Sequence, residues 1–406
     1  MKVNYGRLFV LGLGFMSISL TWAIYNSYVP IFLDQALPAM AFKGLAIGFI
    51  MTLDNIASIT LQPFFSARSD STWGKYGRRM PYLMAGIPVA AVAITLVPVL
   101  RQNIVLMLAS IVTMNVAMAV FRAPTVALMP DITPREQRSK ANGVINLMGG
   151  LGGIIAHFLG SRLYNVNPMV PFAMSGIVML LALIILRASI KEPEKVEGLQ
   201  GDERPVSIFA ALKEAFSPEK RSLLYLLLAI MFWFMGWNSV ETFFTLYAKS
   251  IWGIKESTAA LYLGIGSVAF LLFAIPSGFL ASRYGRKAII TSGIIWMVCV
   301  MTIMTMLGII GRAGIGPAVI ALLVAAGIGW ALINIHSFPM VVDMTTSAKT
   351  GAYTGLYYFF SATAAIIAPP LFGLVRDIAN SYQPLFPFSA VFFVLALWSF
   401  SKVEAR

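Results

Sequence analysis

The sequence predicts an all-α membrane protein of twelve spanning helices arranged as two six-helix bundles, and three observations carry that expectation. Hydrophobic residues make up 58% of the 406 and charged residues only 12%, where soluble domains carry about 25% charge. Mean hydropathy is +0.80. The apolar residues fall into twelve runs near the ~20 residues that cross ~30 Å of hydrocarbon. Two of those runs end in the same kind of basic loop, at corresponding places in the two halves.

In chain order the predicted spans cover 8–33, 44–67, 81–100, 103–129, 139–163, 168–187, 222–248, 258–281, 288–310, 317–342, 350–375 and 385–401, the last being short. The first is too long, and too poor in a small-residue cleavage site, for a removed signal peptide. With the N-terminus inside, 22 of the 30 Lys and Arg residues fall on the cytoplasmic side and 7 on the other, while Arg122 lies within the fourth span. That bias predicts both termini in the cytoplasm of a plasma membrane, for a bacterium the inner one. Three segments follow: an N-terminal bundle over 1–187, a cytoplasmic loop over 188–221 and a C-terminal bundle over 222–406. Inside the loop, Ser207 precedes a stretch where Ile208, Phe209, Leu212 and Phe216 recur at helical spacing. A short amphipathic helix on the membrane surface is expected there.

Several function classes drop out. A net charge of +13 placed between apolar spans suits lipid headgroups and orientation, so a nucleic-acid partner is not expected. The single Cys299 builds neither a disulfide framework nor a thiolate cluster. His157 and His336 lack the company of other metal ligands, and no cofactor is expected. No nucleotide-binding loop, HExxH run or serine elbow is present, which argues against an enzyme. A receptor without transport would need a signalling domain, and the longest loop is too short for one.

The basic loops are Ser66 to Pro81 (SARSDSTWGKYGRRMP) and Gly278 to Lys287 (GFLASRYGRK). They resemble the helix 2/3 loop signature of the major facilitator superfamily and its echo at helix 8/9. Leu61 to Tyr82 is similar to the plant sucrose and animal SLC45-type carriers, with a Gln-Pro pair, Ser-Asp and Gly-Arg-Arg, although Ser66 stands for a glycine and Met80 interrupts the run before proline. Arg122 to Gly153 resembles the same group's helix 4/5 junction, with Ala-Leu before an acid and Arg-Ser-x-Ala-Asn after it.

The resemblance implies a monomeric secondary transporter, two halves related by an axis along the membrane normal, and a small-molecule substrate bound between them near mid-membrane. Its subgroup implies a sugar, a disaccharide or glycoside, carried with protons. In the melibiose-type branch sodium is held by paired acids on helix 2, and Ser58 and Gln62 stand at those two positions, so protons are the expected coupling ion. Asp70 is expected at the inner end of helix 2, Arg78 is expected to pair with Asp131, and Arg79, Arg283 and Arg286 complete a cytoplasmic gate. Ser282 stands where the second copy would carry its acid, so that copy's latch is expected to be weaker. For Lys75, Arg79 and Lys287 the plain positive-inside rule is an equal explanation.

Ionisable groups at membrane depth mark pathways. Asp54 lies about ten residues into the second span, near mid-membrane, and is the first choice for the proton site; a structural acid packed between helices is the alternative. Arg122 suits substrate hydroxyls or a counter-charge to that acid, or structural pairing. Glu241 is a second proton-site candidate, or a residue of the outer vestibule. Sugar sites combine amides and carboxylates with an aromatic plate. Trp22, Tyr25, Asn26, Asn146, Trp237, Asn238, Asn334, His336, Tyr357 and Tyr358 offer that mixture, although each aromatic singly also suits packing or an interfacial belt. Gly149, Gly150, Gly152 and Gly153 permit close helix approach, with a rocking surface as the second reading. Exporters of drugs or other metabolites are the nearest rival; drug/proton antiporters of the superfamily carry a proline in this glycine-rich helix, which is missing here.

Overall fold

The computed structural model describes residues 5–38, 40–133, 137–192, 212–213, 216–217, 220–310, 315–345 and 350–404. Among these the chain forms thirteen helices and no strand. They are α1 (Tyr5–Ala36), α2 (Lys43–Met51), α3 (Leu53–Ser71), α4 (Met80–Val99), α5 (Ile104–Ile132), α6 (Arg138–Val166), α7 (Val170–Ser189), α8 (Arg221–Trp252), α9 (Glu256–Tyr284), α10 (Arg286–Ile310), α11 (Gly316–Asp343), α12 (Thr350–Ala379) and α13 (Leu385–Ser401). Eleven spans among the described residues are long and apolar enough to cross a membrane, with α2 and α3 counted together, and α13 adds a shorter apolar helix. Most of the amphipathic piece expected around Ser207 lies outside the described residues.

In hydrocarbon every backbone polar group must be satisfied within the helix, so long apolar runs can only be helical there. Local signals set the ends. Asn103 caps α5, its side-chain oxygen accepting from the backbone N–H of Val105 at 3.1 Å and of Leu106 at 3.2 Å. Gly253 ends α8 at φ +67°, a conformation that glycine adopts without steric cost. The second span, predicted as one helix over 44–67, is interrupted at Thr52. There both the backbone N–H and the hydroxyl turn back to the Phe49 carbonyl, at 3.1 and 2.9 Å. Such a side chain competes with the helical ladder and bends it.

The chain forms two compact units that are not contiguous in sequence. The first comprises 1–40 and 53–200, the second 41–52 and 201–406. In the first, α1 packs on α5, α6 and α7, while α4 packs on α5 and α7 and α3 on α5. In the second, α8 packs on α12 and α13, α10 on α11 and α13, and α9 on α11; α2 lies along α12. The principal contacts of the second six spans thus repeat those of the first.

Lipid tails give apolar helices little reason to associate, so close approach and interhelical hydrogen bonds carry the packing. A Cβ on Gly152 would collide with the backbone of Met16, so this glycine lets α6 lie against α1. Thr21 and Ser175 share a buried 2.7 Å hydrogen bond between α1 and α7. In the second unit Ser389 donates to the Gly236 carbonyl at 3.0 Å, joining α13 to α8. A Cβ on Gly327 would meet the Gly266 backbone, which sets the α9–α11 approach.

Candidate functional site

In the first unit α1, α3 and α5 assemble a polar cluster at membrane depth. Tyr25 is buried on α1, and Trp22 meets its ring edge-on at 5.5 Å. Asp54, in the first turn of α3, lies within electrostatic reach of both Tyr25 and Arg122. Its carboxylate also accepts from Asn55 Nδ2 at 2.9 Å. The expected acid and its expected counter-charge are therefore in one place. Asn115 on α5 was not anticipated: it is 3% exposed and stands about two helical turns before Arg122. Trp22 Nε1 is buried without a hydrogen-bond partner among the described residues; the Tyr25 hydroxyl faces the Asn115 side chain, but the two fall short of full hydrogen-bond geometry. Buried polar groups are normally satisfied, so this surplus suits water, a proton path or a hydroxylated ligand.

Other expected groups of this unit are already partnered or exposed. Asn26 is half-buried and already has a partner, and Asn146 stands on an exposed face of α6. Gln62 Nε2 donates to Ser58 Oγ at 2.6 Å, so the two positions that hold acids in the melibiose-type branch are bonded to each other.

In the second unit the aromatic side chains of α8, α11 and α12 form a connected plate. Trp237 and Trp330 stack at 4.9 Å with planes 11° apart. Phe234 meets Trp330 and Tyr357 edge-on, and Phe338 joins Tyr357 to Tyr358. Tyr357 is buried with its hydroxyl 3.2 Å from Ser337 Oγ, while Tyr358 is exposed. Glu241, half-buried and partnered, stands one turn beyond Trp237. Asn334 stands one turn beyond Trp330, and the Asn238 amide is spent on the Phe234 carbonyl of its own helix at 2.7 Å. Trp330 was not singled out from sequence; it is a tryptophan among glycines and apolar residues in a span, which packing explains equally well.

The first basic loop is knotted by carboxylates. Arg78 pairs with Asp131, its Nε donating at 3.1 Å, and Arg79 Nε donates to the same carboxylate at 3.0 Å. Arg79 also pairs with Asp70 and reaches Ser69. A third carboxylate, Glu192, was read only as part of a charged loop. It accepts from the backbone N–H groups of Arg78, Arg79 and Met80 at 2.8, 3.0 and 2.7 Å. It thereby caps the start of α4, where unsatisfied N–H groups and the helix dipole favour an anion. Gly77 precedes this cap at φ +90°, and a Cβ there would strike the Glu192 carboxyl.

The second loop is arranged differently. Arg286 pairs with Asp343, an acid that sequence reasoning missed. Asp343 closes α11 as Asp131 approaches the end of α5, so aligning the two halves was the available signal. Arg283, expected beside Arg286, instead lies 5.4 Å from the Tyr284 ring and has no ion pair among the described residues. Ser282 donates to the Phe279 carbonyl.

Comparison with known proteins agrees with this architecture. The sequence profile described as Major Facilitator Superfamily matches residues 11–369 and 235–405. The class H tetracycline resistance protein of Pasteurella multocida is 24% identical over 257 residues, 63% of this chain and 62% of that protein. The general alpha-glucoside permease of Schizosaccharomyces pombe is 24% identical over 306 residues, 66% of this chain and 54% of the permease. Each match spans less than two thirds of the relative's length. The crystal structure of the nucleoside transporter NupG superposes with a TM-score of 0.79 at 15% identity, over 100% of both chains. At that identity the likeness concerns the fold.

Proposed function

The chain belongs to the Major Facilitator Superfamily, and from that premise we propose that this membrane transporter is a proton-coupled symporter of a sugar, a disaccharide or glycoside, working by alternating access. The observation that carries the reading is an acid within electrostatic reach of a guanidinium inside the spans of one unit, Asp54 and Arg122, in a chain that also carries the Trp237–Trp330 plate. Sugar rings present apolar faces to such plates and hydroxyls to amides and cations. The match to an alpha-glucoside permease supports the same substrate class.

In this reading Asp54, deprotonated, is held by Arg122. A proton taken up from outside neutralises the carboxyl and frees the guanidinium to donate to substrate hydroxyls. Release of the proton inside restores the pair and lowers affinity for the sugar. Glu241 and Asn334 supply acceptors beside the plate. Arg78, Arg79, Asp70 and Asp131 form a latch on the cytoplasmic side of a plasma membrane, with the protein acting as a monomer. In this reading sodium is not the coupling ion; the bond between Ser58 and Gln62, which offer it no carboxylate, supports proton coupling.

The test is uptake of radiolabelled disaccharides by proteoliposomes, with and without an imposed proton gradient. Accumulation that follows the gradient, collapses with a protonophore and survives replacement of sodium by choline supports the reading. Uptake that stops when sodium is withdrawn at constant pH refutes it. The match to a tetracycline resistance protein favours a second reading, proton-driven export of a planar drug, since a tryptophan stack accepts flat rings equally well. Proton-dependent tetracycline movement in the same vesicles, without disaccharide uptake, would select it.

A further inference from the structure

The two basic loops differ in how their charges are matched. In the first unit Arg78, Arg79 and the start of α4 meet three carboxylates, those of Asp70, Asp131 and Glu192. In the second, Arg286 has Asp343, but Lys287 has no ion-pair partner among the described residues, and no carboxylate there accepts from the first N–H groups of α10. Ser282 occupies the place of Asp70. Glu404 occupies the place of Glu192, each lying just beyond the last helix of its unit. Yet among the described residues the Glu404 carboxylate caps no helix start, while its backbone N–H donates to Ser222 Oγ at 3.0 Å.

The uncapped end of α10 borders a cavity of about 1440 Å³ inside the second unit. Lys220, which also has no ion-pair partner among the described residues, lines it together with Arg286, Lys287 and Glu404. Deeper in the same lining stands His336, 5% exposed, whose Nε2 is buried without a hydrogen-bond partner among the described residues. It lies two turns of α11 before Asp343, about 10 Å along the axis. Unpaired cations, free N–H groups at a helix start and a buried ring nitrogen together lack one thing, an anion with several acceptor oxygens.

We propose that this cavity binds a phosphate-bearing anion, with the phosphate at the start of α10 between Lys220 and Lys287 and the rest of the ligand extending toward His336. The site lies within one unit and is independent of what the protein transports. Glu404 opposes it: this residue lines the same cavity, and its negative charge repels the anion. The ligand is either the headgroup of an anionic lipid or a free phosphate compound, and both present the same chemistry.

Full-length protein in neutral detergent is titrated with pyrophosphate by calorimetry, and in parallel with phosphatidylglycerol and phosphatidylcholine by native mass spectrometry. Pyrophosphate binding identifies a soluble ligand; retention of phosphatidylglycerol over phosphatidylcholine without pyrophosphate binding identifies a lipid headgroup. Whichever probe binds, the double variant Lys220→Ala/Lys287→Ala weakens it about tenfold or more, the loss of two charge-assisted contacts. Glu404→Gln strengthens it, an opposite change that misfolding does not produce. The proposal is overturned if neither probe binds, or if binding is unaltered in both variants.

Discussion

Replacing Glu192 by alanine removes one carboxylate that three backbone donors share, and its cost can be worked from the geometry. Hydrogen bonds to a charged group contribute about 1.5–3 kcal/mol each, but three that share one acceptor do not add. Glu192 is also partly accessible, so water recovers some of the loss. A loss of about 2–4 kcal/mol follows, including about 0.3–1 kcal/mol from the helix dipole. Domains of 150–250 residues shift by about 2–4 °C per kcal/mol, so Glu192→Ala is expected to lower the Tm by about 4–16 °C. Glu192→Gln keeps one acceptor oxygen and loses only the charge, for a shift of about 2–4 °C. Thermal unfolding in detergent, followed by tryptophan fluorescence, measures both. Gly77→Ala supplies the cross-check, because its Cβ strikes the Glu192 carboxyl. It destabilises the native protein through clash and positive φ, but the Glu192→Ala background through φ alone. An unchanged Tm in Glu192→Ala, or strict additivity with Gly77→Ala, would refute the cap.

On the proposed mechanism Asp54→Asn deletes the proton site and not the cavity, so accumulation against a gradient is abolished while substrate exchange remains; accumulation at the native level removes Asp54 from the mechanism. Arg78→Ala lowers transport and shifts the resting protein toward the inward-facing state, read by outside accessibility labelling. Asp131→Asn has the larger effect because it releases Arg79 as well, and the double variant is little worse than Asp131→Asn alone; equal, additive effects count against a shared latch. Trp330→Ala strips the stacking partner from Trp237 and weakens substrate binding about tenfold, roughly the 1.4 kcal/mol of an aromatic pair at the upper end. Unaltered affinity would make the plate mere packing.

Much of the site was legible because its signals are local. Asp54 and Arg122 announce themselves as charges inside apolar runs, and the cost of burying them implies a partner. Arg78 was legible through a duplicated motif, and Asp131 as its partner through the family resemblance. Glu192, Asn115 and Trp330 were not. Glu192 looks like any other charge in a loop, and what makes it a cap is the start of α4, 112 residues away at Met80.

The sequence by itself determined the class of fold, since twelve apolar runs in a bilayer have no alternative to helices: only a helix satisfies its own backbone away from water. It also determined the internal repeat, which the same basic loop marks twice. Tertiary structure decided which polar groups meet. Thr52 turns its hydroxyl onto Phe49 and divides the second span, and the nine residues of α2 then join the second unit, where Asp377 accepts from the N–H groups of Gly44 and Leu45 at 2.8 and 2.9 Å. It likewise set three carboxylates on the first basic loop and, among the described residues, Asp343 alone on the second. Periodicity in an all-apolar helix does not reveal its rotation, because no polar face marks the side that packs. Rotation is set by where glycines let backbones approach, and contacts between distant residues become visible only once the helices have packed.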